Sequence, residues 1–145
     1  MEKVFWYALF TAMLWGFAPL FGKLGLKMVD PLLALGIRTF FVFLIVNFLV
    51  IFTGKAKELF TLLLSRGAFY VSCEALFGAI LGQLFYFYAL KEGEASKVVP
   101  IASTFPLFTA FFAFLFLGEK FQWQRLLGAA FIVSGMILLR ILLRR

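Results

Sequence analysis

Polar positions divide the chain into five long apolar runs separated by short polar breaks. The first run extends from Val4 to Phe21, between Lys3 and Lys23. Four more runs follow it, so it reads as a first helix and not as a leader. An apolar stretch of about 20 residues spans a bilayer as a helix. The runs therefore predict five transmembrane helices, at about 4–25, 31–53, 67–90, 95–117 and 123–143. Asp30-Pro31 reads as a helix start, with Asp capping and Pro at the first helical position. Gly54 ends the second helix. Residues 55–66 are too short and too charged to span, and read as an amphipathic helix in the headgroup region. The breaks at 91–94 and 118–122 are short enough to make consecutive helices antiparallel neighbours.

Composition sharpens this pattern. The 145 residues are 64% apolar and 14% charged, with 22 Phe and no His. Soluble domains carry about 45–50% apolar and about 25% charged residues. These proportions exclude a soluble enzyme and a disordered chain. The fold class is all-α integral membrane: a five-helix bundle forming one domain over 1–145, located in the cytoplasmic membrane. The net charge of +7 sits at the ends of apolar runs, where it serves membrane orientation and anionic lipid, not nucleic acid. Cys73 is alone in an apolar run, so it reads as a small packing residue. No cofactor or metal site is expected.

Five spans put the termini on opposite faces. Lys3, Lys55, Lys57, Arg66, Lys120 and Arg125 fall on the N-terminal face. Lys23, Lys27, Arg38, Lys91, Lys97, Arg140, Arg144 and Arg145 fall on the other. The Lys/Arg difference that orients a membrane protein is nearly absent. Two readings stay open: a fixed orientation set by a few dominant residues, or insertion both ways round.

Several segments, in order, carry a resemblance. They are Ala12-Met-Leu-Trp15-Gly16-Phe-Ala-Pro-Leu-Phe-Gly22-Lys23, Asp30-Pro31 followed by Arg38, Phe85 through Pro100, Gly118-Glu119-Lys120, and Gly128 through Gly135. Together they resemble the single-domain, EamA-like form of the drug/metabolite transporter superfamily. The common family form carries two five-helix halves, the second inverted, so the resemblance implies half of a ten-helix fold. It implies a transporter and names no substrate.

The candidate residues follow from intramembrane polarity and helix interruption. Arg38 lies one or two turns inside the second span, and charges there usually face a bundle interior or a water-filled cavity. It reads either as an anion contact or as a snorkelling structural residue. Glu74 is the one acid well inside a span, so it is the candidate for proton coupling, against a structural role. It lies toward the face opposite Arg38; an inverted second copy would bring its own Glu74 into the leaflet of Arg38. Trp15, Gly16 and Pro19 form a kinked, aromatic stretch suited to a cavity wall or to plain packing. Gln83 and Tyr86, with Tyr88, are polar positions on the third span. Lys97, Pro100, Ser103 and Thr104 sit on the proline-interrupted fourth span, with Pro106 and Thr109. Interrupted helices point to transporter sites, and Ser or Thr can re-satisfy carbonyls freed by Pro. Gly78 and Gly82 read as a close-approach G-x-x-x-G pair. Gly128, Ala130, Ser134 and Gly135 read as dimer packing.

The resulting expectation is a small transporter of a small organic solute, acting as an antiparallel homodimer with membrane lipid around it. The alternative is an accessory or scaffold subunit of another transporter or of a lipid-linked flippase. Enzyme templates are absent from the sequence.

Overall fold

Local signals set the helix ends. In the computed structural model, which describes residues 2–118 and 123–142, six helices follow one another. They are α1 (Glu2–Leu26), α2 (Pro31–Phe52), α3 (Ala56–Leu62), α4 (Arg66–Glu92), α5 (Ala95–Leu117) and α6 (Trp123–Leu142). The Asp30 side chain accepts from the Leu32 N–H at 2.9 Å, and Pro31 opens α2. Ser65 caps α4 by accepting from the Ala68 N–H at 3.1 Å. Gly54 and Gly118 end α2 and α5 at φ 72° and 64°, a left-handed backbone that a side chain would strain.

Among the described residues, α1, α2, α4 and α5 are long and apolar enough to cross a membrane. The protein is an all-helical membrane protein. The helix count is six and not the five expected, because the short α3 forms at the stretch read as interfacial. Glu119 and Lys120, the acidic turn of the resemblance, lie outside the described residues, as does the side chain of Arg140.

Two of the spans are not regular. α4 is π-helical over Ala75–Gly82. A Cβ on Gly82 would stand 2.9 Å from the Phe77 carbonyl oxygen, and one on Gly78 would stand 3.1 Å from Glu74 Oε1. The space at both glycines is thus filled from within α4 itself. This corrects the reading of the pair as a helix–helix approach: glycine here admits the widened π turn.

α5 breaks at Ser103–Thr104 into Ala95–Ala102 and Phe105–Leu117. Pro106 cannot supply an N–H to Ala102, and it disfavours helical geometry in the residue before it. The Ser103 hydroxyl donates to Val99 O at 2.8 Å, and that of Thr104 to Ile101 O at 2.8 Å. Those are not the carbonyls of Ser96 and Ala102 that the prolines release. The hydroxyls reach the oxygens three and four residues back, the local geometry open to them.

The chain forms two compact units, Met1–Glu92 and Gly93–Arg145. In the first, α1 and α2 both pack on the last part of α4, Gln83–Glu92. In the second, α6 packs on both parts of α5.

Candidate functional site

The packing of the first unit is concentrated at one end. Its buried residues are Pro19 and Leu26 on α1, Pro31 and Leu35 on α2, and Phe87 and Leu90 on α4. Leu26 is 2% exposed and Leu90 is fully covered. Gly22 permits this closeness: a Cβ there would meet Leu90 Cδ2 at 3.2 Å and Phe87 Cε1 at 4.0 Å.

A polar fastening lies over that apolar plug. The last carbonyls of a helix lack backbone donors and carry its negative dipole end. Lys23 Nζ, from α1, donates to Leu90 O at 2.6 Å and to Lys91 O at 3.0 Å. Lys91 in turn faces Asp30 at 3.9 Å, with both side chains about half exposed. That pair is too solvated to add much, so Lys23 is the main polar fastening.

Helical periodicity carries the packed faces away from the plug. Residues three, four and seven apart share a helix face. On α1 the face of Pro19, Gly22, Lys23 and Leu26 continues to Trp15 and Gly16. On α2 the face of Pro31, Ala34 and Leu35 continues to Arg38. On α4 the face of Leu90 and Phe87 continues to Gln83, with half-buried Tyr86 at its edge.

The contacts also fix level. Asp30 meets Lys91, and α2 runs antiparallel to α4, so eight residues along each puts Arg38 beside Gln83. Gly22 meets Leu90, and α1 runs parallel to α4, so seven residues back puts Trp15 at Gln83 as well. At 1.5 Å per residue this layer lies about 12 Å from the fastened end.

The structure therefore brings Trp15, Gly16, Arg38 and Gln83 to one level on three inner faces, directly above the packed Pro19. There the faces are no longer covered. Trp15 is 64% exposed, Arg38 is exposed, and a Cβ on Gly16 would meet nothing within 4 Å. Among the described residues no hydrogen bond or ion pair engages the Arg38 side chain.

Glu74 is not part of this layer. It lies nine residues from Gln83 along α4, with the π-helical segment between them. It is exposed at the start of the π-helical segment. Among the described residues it has no ion-pair partner.

In the second unit, Lys97 pairs with Glu94 at 3.1 Å at the head of α5. Pro100 is half-buried, and Ser103 and Thr104 form the helix break. Gly128, Ala130, Ser134 and Gly135 are exposed on α6, and a Cβ on either glycine would meet nothing within 4 Å.

Sequence reasoning gave no site role to Gly22, Lys23, Phe87 or Leu90. A basic residue in the last turn of a span reads as a rim anchor. Only the packing of α1 beside α4 turns Lys23 onto another helix's carbonyls.

The chain is similar to three proteins of uncharacterized function. An uncharacterized transporter from a Sinorhizobium species is 33% identical over 139 residues, covering 94% of this chain and 95% of that protein. An uncharacterized transporter of Archaeoglobus fulgidus is 32% identical over 133 residues, covering 92% of this chain but 45% of that protein. An uncharacterized Methanocaldococcus jannaschii protein is 40% identical over 62 residues, 43% of this chain and 45% of that protein. No solved structure matches the chain. The EamA-like transporter family model matches residues 3–141, almost the whole span that carries the plug, the layer above it and the glycine face of α6, and the chain belongs to that family of small membrane transporters.

Proposed function

We propose that this protein moves a small organic solute across the cytoplasmic membrane, as an antiparallel homodimer and without an enzymatic step. The solute is held at the level of Trp15, Gly16, Arg38 and Gln83. The observation that carries this reading is the asymmetry of the first unit. Three inner faces are packed and fastened at one end and uncovered directly above, the arrangement of a path closed on one side. Tyr86 borders that space. In the second unit by itself, Lys97, Pro100, Ser103 and Thr104 of the interrupted α5 are proposed as solute contacts.

Glu74 supplies proton coupling. It is the acid placed well inside a span, where ionisable residues mark ion and proton pathways. Pairing of two copies is supported by the near-even division of Lys and Arg between the faces. It is supported too by the uncovered small-residue face of α6, with Gly128, Ala130, Ser134 and Gly135. The family relatives add to this: one has this chain's length, and in another the matched region is 45% of the protein.

Two measurements test the reading. A solute screen in proteoliposomes under a pH gradient should find uptake or release that Glu74→Gln abolishes. Full transport by Glu74→Gln would remove the coupling role. Reporters fused to the C-terminus should appear on both sides of the membrane, and a C-terminus on one side only would eliminate the inverted pair.

A further inference from the structure

We infer that Arg38 is the anchor of an oxyanion site, and that the solute carries a carboxylate or phosphate group. The inference rests on the solute path proposed above and adds the chemical class.

An arginine keeps its charge at any accessible pH. A charge inside a span is costly unless it is paired or reaches water. Toward the near rim, Arg38's own helix face is occupied by Leu35, Ala34 and Pro31, and Leu35 and Pro31 are buried. The plug blocks retreat along that face to water about 12 Å away.

Among the described residues of the first unit, no acid stands at the level of Arg38. Asp30 lies at the rim, where it caps α2 and faces Lys91. Glu92 lies beyond Lys91 on α4, and Glu58 lies on α3. Glu2 begins α1, thirteen residues before Trp15. Glu74 lies nine residues from Gln83, across the π-helical segment of α4. The first unit thus holds a cation on an inner face with no anion of its own beside it.

The neighbours at that level suit a bound oxyanion. The guanidinium fork takes two oxygens of a carboxylate or phosphate at once. The Gln83 amide offers two N–H donors and the Trp15 indole one. Beside them Gly16 adds no bulk, and a Cβ there would meet nothing within 4 Å. The plug below closes this level off from the near rim. The oxyanion has two possible sources, a free solute or the headgroup of an anionic lipid.

The test uses the full-length protein in nanodiscs of zwitterionic lipid alone. Calorimetric titration with acetate, succinate and inorganic phosphate should show saturable binding to the wild type. Acetamide and succinamide, the neutral counterparts, should not bind. Arg38→Gln should weaken anion binding at least about tenfold, and Arg38→Lys, which keeps the charge without the fork, should lie between. A second set of discs containing phosphatidylglycerol distinguishes the sources. Weaker soluble-anion binding by the wild type there, overcome at higher anion concentration, identifies a competing headgroup at the same site.

Equal binding by wild type and Arg38→Gln overturns the proposal. So does binding of succinamide as tightly as succinate, a result that needs only the wild type if the variants fail to fold. Rescue of Arg38→Glu by Glu74→Arg also overturns it, by making the carboxylate of a second copy the counter-charge. Anion binding that persists when no solute is transported leaves the site standing and removes the transport reading. Transport of neutral solutes with Arg38→Gln unaffected does the reverse.

Discussion

The two ends of the first unit are built from the same three helices but differ in what covers them. At the Lys23 end, α1 and α2 close on α4 through Gly22, Leu26, Leu35, Phe87 and Leu90, under a lysine bonded to helix-end carbonyls. One or two turns away the same helix faces carry Trp15, Gly16, Arg38 and Gln83, and close packing stops. The apolar content of the two regions is not the difference. Small and flat residues at the contact, with a donor for the last carbonyls, make one end close. A charge and a large exposed ring leave the other uncovered. In lipid, apolar surface alone does not bring helices together, because the tails are as apolar as leucine; shape and polar fastening decide.

The comparison can be broken most strongly at Gly22. Gly22→Leu should lower stability by about 2–3 kcal/mol, because its first added carbon already meets Leu90 at 3.2 Å. Gly16→Leu, six residues earlier on the same helix, should stay within about 0.5 kcal/mol of wild type while blocking solute binding. Thermal unfolding in detergent micelles compares the two, and equal losses would contradict the difference between the ends.

Lys23→Met should cost about 1.5 kcal/mol by removing the donor to Leu90 and Lys91. The closed end should then open more often. In a Cys73→Ser background, a cysteine placed at Leu35 should react with a water-soluble maleimide about tenfold faster once Lys23 is replaced. An unchanged rate would show that the apolar plug closes this end unaided.

Gly82→Ala sharpens the comparison further along α4. Its methyl would stand 2.9 Å from the Phe77 carbonyl, so the π-helical segment must shift, at about 1 kcal/mol. A register change in α4 moves Glu74 relative to Gln83 and should alter the pH dependence of transport more than its maximal rate.

The smallest effect belongs to Asp30. Asp30→Asn keeps the cap on Leu32 and loses only the half-exposed pair with Lys91. It should change the melting midpoint by less than about 0.5 kcal/mol equivalent. Asp30→Ala, which removes the cap as well, should cost about 1 kcal/mol.

Much of the fold was legible because its causes are local. Lipid length sets how many apolar residues make a span, and Asp30-Pro31 and Gly54 set the ends of α2 through their own backbone and side-chain geometry. The interruption of α5 follows from Pro100 and Pro106. The π-helical segment of α4 was not legible. Gly78 and Gly82 have the spacing of a helix contact, and only the backbone shows that α4 itself fills their space.

For the candidate site, residue type singled out Arg38, Trp15, Gly16 and Gln83, since charge, kink and amide are unusual inside a span. Their common level could not be read along the chain. It depends on Asp30 meeting Lys91 and Gly22 meeting Leu90, contacts between residues 61 and 68 positions apart. The sequence by itself determined a membrane-spanning helical chain, because hydrophobic length and capping act within one helix. Tertiary structure alone decided which end is closed and which residues face one another above it, because those depend on how three separate helices pack and slide in register.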